Sequence, residues 1–288
     1  MKSFILSFYC IAILIFNTSF QPKNDWTPLL DKNLSKWEIY QSFRHKLGYN
    51  GEAPKDAQGN LIKPVGFNKN EENEFSVIEQ NGEQVLKIGG PIYGCLYTKS
   101  EFENYHLKLK VKWGDQKWIP RITEDKDSGI LYHSQGEPGV DYWRTWMLSQ
   151  EYQVTEAGMG DYWSQASSRS DIKARKEGSN YYFDNNGTLL AFGGGTGHGG
   201  FCHAGVDAEI KNGWNELELI TFGDKSIRIV NGKVIMALSN SRYMVNGEAK
   251  PLVKGKIQLQ CEAAEVFYKD IKLKQIDGIP AEYAVYFK

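Results

Sequence analysis

The sequence predicts an all-β protein, a β-sandwich of jelly-roll type interrupted by two long loop insertions. Three observations predict it. Apolar and polar residues alternate repeatedly, with short breaks between runs. Asn231-Gly232 separates two such runs, and both residues tolerate the positive φ of a tight hairpin. No long segment repeats its apolar residues at helical spacing. Many antiparallel strands with this patterning close most readily as two packed sheets.

In chain order the expected strands cover residues 75–80, 84–88, 95–99, 105–113, 129–134, 151–155, 214–222, 226–230, 233–238, 256–261 and 265–273. Lys108-Leu109-Lys110-Val111-Lys112 alternates cleanly, one face wet and one buried. Runs 226–230 and 233–238 flank the Asn-Gly turn. The insertions are 43–74, rich in Gly, Pro, Asn and Lys, and 157–203, rich in Gly, Ser, Asn and Tyr. Loops this long inside one domain are functional or mobile.

The N-terminus reads as an export signal. Lys2 supplies the charge, Phe4 to Phe16 is apolar apart from Ser7, and Asn17-Thr18-Ser19 ends the run. The run is short for a bilayer span, and Cys10 lacks the small residues of a lipid-attachment site. The expectation is a signal peptide over 1–20, one domain over 21–276, a tail over 277–288 without assigned role, and a periplasmic or extracellular location. No later segment is apolar enough to cross a membrane.

A net charge of -1 gives no basic surface for nucleic acid or anionic lipid. Aromatic residues make up 13% of the chain. Such a share fits either a ring-rich core or a ligand surface lined by rings. Cys95, Cys202 and Cys261 remain after cleavage. Their odd number excludes a fully paired framework and allows at most one disulfide.

The chemistry concentrates between Asp127 and Trp163. Glu151 and Gln153 stand two apart on one strand, so they share a face about 7 Å apart. Tyr152 and Val154 then face the core. Trp143, Trp146 and Trp163 flank this pair. Rings stack on pyranose faces while carboxylates and amides bond the hydroxyls, so the mixture suits a sugar. A solvated polar face is the plainer reading. His133, on the face of Leu131 and Gly129, is a candidate base or metal ligand, against a structural histidine. Asp127 either caps a turn or binds ligand. Arg121 and Arg144 either hold an oxyanion or sugar hydroxyls, or form surface ion pairs.

Gly195-Thr196-Gly197-His198-Gly199-Gly200 fits a G-x-G-x-x-G pattern, but no helix follows to hold a pyrophosphate. No nucleotide cofactor is expected. The segment reads instead as a lid bearing His198 and His203, both candidate substrate contacts. No G-x-S-x-G or H-E-x-x-H motif occurs.

An ordered set of motifs resembles the 3-keto-disaccharide hydrolase domain family, whose fold is similar to the concanavalin-like lectin/glucanase sandwich. The set opens with Trp26-Thr27-Pro28-Leu29-Leu30-Asp31 and Leu34-Ser35-Lys36-Trp37. It continues through Asp127-Ser128-Gly129-Ile130, Glu151-Tyr152-Gln153-Val154, Gly213-Trp214-Asn215-Glu216 and Val230-Asn231-Gly232. It closes with Gly255-Lys256-Ile257-Gln258-Leu259-Gln260 and Val266-Phe267-Tyr268-Lys269-Asp270-Ile271. Asp127 stands where the family usually has Asn, His133 falls near where many members carry Arg, and Lys269 replaces a closing Arg. The resemblance implies a concanavalin-like jelly roll acting on a keto-sugar, with Glu151, Gln153 and Asp127 on the sugar-facing sheet.

Laminarinase-type enzymes of that fold place two carboxylates on one strand as E-x-D-x-E. Here the strand reads Glu151-Tyr152-Gln153-Val154-Thr155, which lacks the second carboxylate. A C3 carbonyl removes the need for it, because it acidifies the C2 proton. One base, Glu151 or His133, then suffices, with Arg121, Arg144 or a divalent cation steadying the enolate. The alternatives are a non-catalytic lectin-like module, and a conventional glycosidase drawing its second acid from Glu156 or Asp161.

Overall fold

The computed structural model describes residues 25–48, 52–140 and 144–288. The expected alternation builds two antiparallel sheets, of twelve and nine strands among these residues. Nine strands of the larger form one row, in the order Asn180–Phe183, Ser168–Glu177, Lys233–Val245, Lys225–Val230, Asn215–Phe222, Tyr105–Lys117, Ala264–Gln275, Glu83–Ile88, Phe75–Gln80, and Thr27–Pro28, Thr188–Gly193 and Glu248–Pro251 pair beside it. Eight strands of the smaller form one row, in the order Phe201–Cys202, Tyr162–Gln165, Leu148–Thr155, Asp127–Gln135, Lys254–Cys261, Ile92–Thr98, Trp37–Arg44, Gly66–Phe67, and Phe102–Glu103 pairs beside it with Lys254–Cys261. Sequence neighbours often sit in different sheets, as a jelly roll requires.

The main core lies between the sheets. Leu107, Leu109 and Val111 of the larger sheet meet Ile130, Tyr152, Val154, Leu259 and Cys261 of the smaller. Each buried aliphatic side chain contributes roughly 2 kcal/mol. Lys108, Lys110 and Lys112 stay on the outer face, as the alternation predicts. A second cluster gathers around Tyr162, Ile172, Phe192 and Ile227. The 277–288 tail covers it: Ala281–Phe287 is a 3-10 helix, and Tyr283, Tyr286 and Phe287 pack against this cluster. A third cluster, including Tyr40, Tyr93, Cys95, Leu131 and Trp146, sits on the outer face of the nine-stranded sheet.

Two expectations change, and the cysteines fall within what was expected. The segment 157–203 is largely strand, because Tyr162–Gln165, Ser168–Glu177, Asn180–Phe183, Thr188–Gly193 and Phe201–Cys202 all lie within it. The 168–177 strand buries Ser168, Ser170, Ile172 and Ala174 on one face. Two serines on the buried side hid the period. Trp37–Arg44 is also a strand and runs into the expected 43–74 loop. Cys95, Cys202 and Cys261 are buried free thiols, so no disulfide forms among them. The expected signal peptide over 1–20, and Cys10 within it, lie outside the described residues.

Candidate functional site

The strand Leu148–Thr155 sends Tyr152 and Val154 into the core, so Glu151 and Gln153 project from the opposite face. Cross-strand partners share a face. Glu151 pairs with Trp163 on one side and Leu131 on the other, while Gln153 pairs with Gly129. The strand Lys254–Cys261 alternates likewise: Leu259 and Cys261 enter the core, leaving Gln260 and Glu262 on the outer face. A single-pair β-bridge joins Asp127 to Glu262. These strands and the Arg121–Thr123 turn enclose a cleft of about 180 Å3. Trp146 and Trp163 line it along with the polar groups.

Gly129 is what lets the polar groups converge. A Cβ there would stand 2.3 Å from Gln260 Oε1 and 2.7 Å from Glu151 Oε1. Only hydrogen leaves room for both.

Glu151 is 2% exposed. Gln165 Nε2 donates to its Oε2 and Gln260 also bonds it. Burial nevertheless pushes its carboxyl up to about 8, with nearby Glu262 adding to the rise. Beneath the cleft, Arg228 is buried among Tyr132, Tyr152 and Tyr162 and donates to the Asp161 carbonyl at 2.6 Å. Its charge opposes the Glu151 rise.

Arg121 donates from Nη2 to Glu262 at 2.7 Å and to Asp127. Gln153 Nε2 donates to Asp127 Oδ1 at 2.6 Å. Burial raises the carboxyls of both Asp127 and Glu262, and at Asp127 the neighbouring Glu262 charge raises it further. One guanidinium cannot neutralise two desolvated carboxylates.

Four buried polar atoms in the cleft lining have no partner: the Oε1 atoms of Gln153, Gln165 and Gln260, and Nε of Arg121. An orphaned buried polar atom is costly, so four of them around one cleft mark it as a place where the fold leaves polar groups unsatisfied. Among the described residues, no group of three or more His, Cys, Asp or Glu side chains is placed to hold a metal ion. Between Asp127 and Glu262 the cation is Arg121 itself.

The cleft brings together Glu151, Gln153, Asp127, Arg121, Trp146 and Trp163. Trp143 lies outside the described residues. His133 does not join them. Its φ is +53°, and the register shifts on both neighbouring strands at this point. This bulge turns the ring off the face of Leu131 and packs it against Tyr105 and Tyr132. There His133 is 1% exposed, pairs through Nδ1 with the Leu252 carbonyl at 3.0 Å, and burial lowers its pKa to about 4. It is a neutral histidine of the core, outside the cleft lining.

Arg144 is exposed, donates to Val140 O at 2.9 Å and lines a different hollow. His198 pairs with Ala191 O at 3.0 Å and packs on Tyr181. His203 pairs with Asp161 at 3.1 Å and stacks on Tyr182. Phe201 stands between His203 and Trp163, touching both rings. These three predicted contacts therefore lie away from the cleft lining. Asp161 and Glu156 are likewise engaged elsewhere, with His203 and Lys126.

Gln165, Gln260 and Glu262 escaped the sequence reading. A signal for two of them existed: Gln258-Leu259-Gln260-Cys261-Glu262 alternates polar and apolar immediately before the last strand.

Residues 25–274 match the 3-keto-alpha-glucoside-1,2-lyase-like domain. The chain belongs to this family. The family is carbohydrate-active, as the cleft chemistry also indicates. Among solved structures, a glycosyl hydrolase candidate from Parabacteroides distasonis ATCC 8503 is 18% identical, with 88% of this chain and 100% of that one covered and a TM-score of 0.46. The β-glucanase of Bacillus licheniformis is 12% identical, with coverage of 88% and 97% and a TM-score of 0.42. A carbohydrate-binding module from Bacillus subtilis is 7% identical, with coverage of 70% and 92% and a TM-score of 0.40. No curated protein matches the chain.

Proposed function

We propose that this protein, exported and acting through one domain over residues 21–276, cleaves 3-keto-glycosides by elimination. Glu151 removes the C2 proton. The electron pair moves toward the C3 carbonyl, giving an enolate. The enolate then expels the aglycone oxygen from C1, which takes up the proton held by Glu151, leaving a C1–C2 double bond, the free alcohol and an ionised Glu151. Water adding across that bond would yield the free keto-sugar.

A single observation carries the reading: a buried carboxyl held near neutral pKa shares its cleft with the unpartnered Nε of Arg121. A base with a pKa near the working pH is suited to proton abstraction. A preorganised cationic donor suits the oxygen on which charge develops. The unpartnered amide oxygens of Gln153, Gln165 and Gln260 would accept the sugar hydroxyls. Asp127 and Glu262 are held by Arg121. That leaves Glu151 as the carboxyl free of a cation, which favours one-base elimination over paired-carboxylate hydrolysis.

The test is turnover of matched methyl 3-keto-glucoside and methyl glucoside, read by release of alcohol and by enone absorbance. Only the keto substrate should react, and Glu151→Gln should slow it by about a thousandfold. Equal rates on both glycosides, or an active Glu151→Gln, would overturn the assignment.

A further inference from the structure

A second hollow, of about 760 Å3, opens on the same outer face of the nine-stranded sheet. Its floor is Tyr40 and Phe43, both buried. Leu61 and Ile62 border it and are 66% and 45% exposed, a contiguous apolar surface that water covers poorly. Lys55, Lys63 and Arg144 also line it, against one carboxylate, Glu52.

The hollow and the cleft are in register. Gln260, on the cleft, pairs with Cys95, and Cys95 pairs with Tyr40, so the three stand in one row across adjacent strands. Two interstrand steps separate the rows' ends by about 10 Å. Arg144 borders the hollow and Trp146, two residues on, borders the cleft. Trp146 is fixed between them, its Nε1 donating to Gly94 O at 3.2 Å. A cleft of about 180 Å3 accommodates little beyond one sugar ring, so the rest of a glycoside must lie outside it. On the opposite side the Trp163 and Phe201 rings, in contact and tilted 44° to each other, stand in the way.

We infer that this hollow is the aglycone subsite, and that it takes a flat apolar leaving group bearing an acidic substituent. The inference rests on the elimination reading above and adds the class of leaving group. Tyr40, Leu61 and Ile62 supply apolar contact, and Lys55, Lys63 and Arg144 supply the field for the acid. A glycoside seated over Glu151 spans the row across Trp146 and places its aglycone over Tyr40.

The experiment compares methyl, phenyl and 4-carboxyphenyl 3-keto-glucosides on the full protein, wild type, Leu61→Asp and Lys63→Glu. Each variant is judged by its ratio of kcat/KM between two substrates, in which the intrinsic leaving ability of each aglycone cancels against wild type. Leu61→Asp should lower the phenyl-to-methyl ratio about tenfold, mainly through KM. Lys63→Glu should lower the carboxyphenyl-to-phenyl ratio by about as much. Titration calorimetry with 4-hydroxybenzoate is the second readout, expected to show binding that Leu61→Asp weakens about tenfold. Turnover with neither ratio moved would overturn the subsite. Absent turnover on all three substrates, with 4-hydroxybenzoate still bound and released by Leu61→Asp, would overturn the elimination reading and leave the subsite standing. Absent binding and absent turnover would overturn both.

Discussion

Asp127 and Glu262 face each other across a β-bridge and share one guanidinium nitrogen, Nη2 of Arg121. The two residues are far apart in sequence, and neither would be stable there without the other's partner. Breaking a buried pair by removing one member leaves an uncompensated charge. The trio therefore fixes where Arg121 sits, and so where its unpartnered Nε points.

Arg121→Lys tests that geometry. Lysine keeps the charge but carries its three donors on one nitrogen, so an ammonium seated between Asp127 and Glu262 offers no donor where Nε stands. On a 3-keto-glucoside the expected loss is about a hundredfold in kcat with KM nearly constant, because the lost interaction is made in the transition state. A loss confined to KM would assign Arg121 to ground-state binding.

Glu151 makes two opposed predictions in one variant. Its carboxyl is held up to about 8 by burial, against an ordinary value of 4.5. Between those pH values the folded protein keeps the proton that the unfolded chain releases, so stability falls as pH rises through the window. Glu151→Gln has no proton to lose. It should be inactive yet more stable than wild type, the gap opening above pH 4.5 and reaching on the order of a few kcal/mol by pH 8. Urea unfolding across pH 4 to 9 measures it, and a constant gap would refute the raised pKa. In wild type, kcat/KM should rise about tenfold per pH unit below 8 and level off above it.

His133 predicts the reverse pH effect. Burial lowers its pKa to about 4, from 6.5, so the unfolded chain takes up a proton that the folded protein refuses. Stability on this account is full above pH 6.5 and is lost as pH falls toward 4. His133→Leu should flatten that acid loss while costing about 1 kcal/mol at neutral pH through the one hydrogen bond it removes, the Ser241 hydroxyl still donating to the Leu252 carbonyl. Turnover of the keto substrate should change less than twofold. A hundredfold fall in kcat at unaltered stability would return His133 to the catalytic group.

The fold was legible because alternation at Lys108 to Lys112 and at Glu151 to Val154 states which face is wet. Glu151 and Gln153 could be placed together for the same reason. What period cannot show is a bulge. His133 reads as a neighbour of Leu131 until a left-handed backbone turns it away. Partners from distant segments are equally silent: Gln165 and Glu262 reach Glu151 and Arg121 only through sheet pairing. The histidines of the Gly-rich segment attracted a lid reading by composition alone. In the structure that segment is a turn, with Gly193 N bonded to Gly199 O at 2.6 Å.

Gly129 offers the sharpest test of whether convergence itself matters. Its backbone is ordinary strand, so alanine is conformationally acceptable there and adds nothing but a methyl. That methyl would stand 2.3 Å from Gln260 Oε1 and 2.7 Å from Glu151 Oε1. Both side chains must retreat, and Glu151 is already confined by Gln165. A displacement of this size at the base costs about a hundredfold in rate. The expected outcome for Gly129→Ala is a fall of that order in kcat, with a melting temperature within a few degrees of wild type. Gly129→Ala paired with Gln260→Ala should recover part of the loss, since it frees the space the methyl takes. Full activity in the single variant would mean that Glu151 and Gln260 need not meet, and the cleft would lose its claim as the catalytic centre.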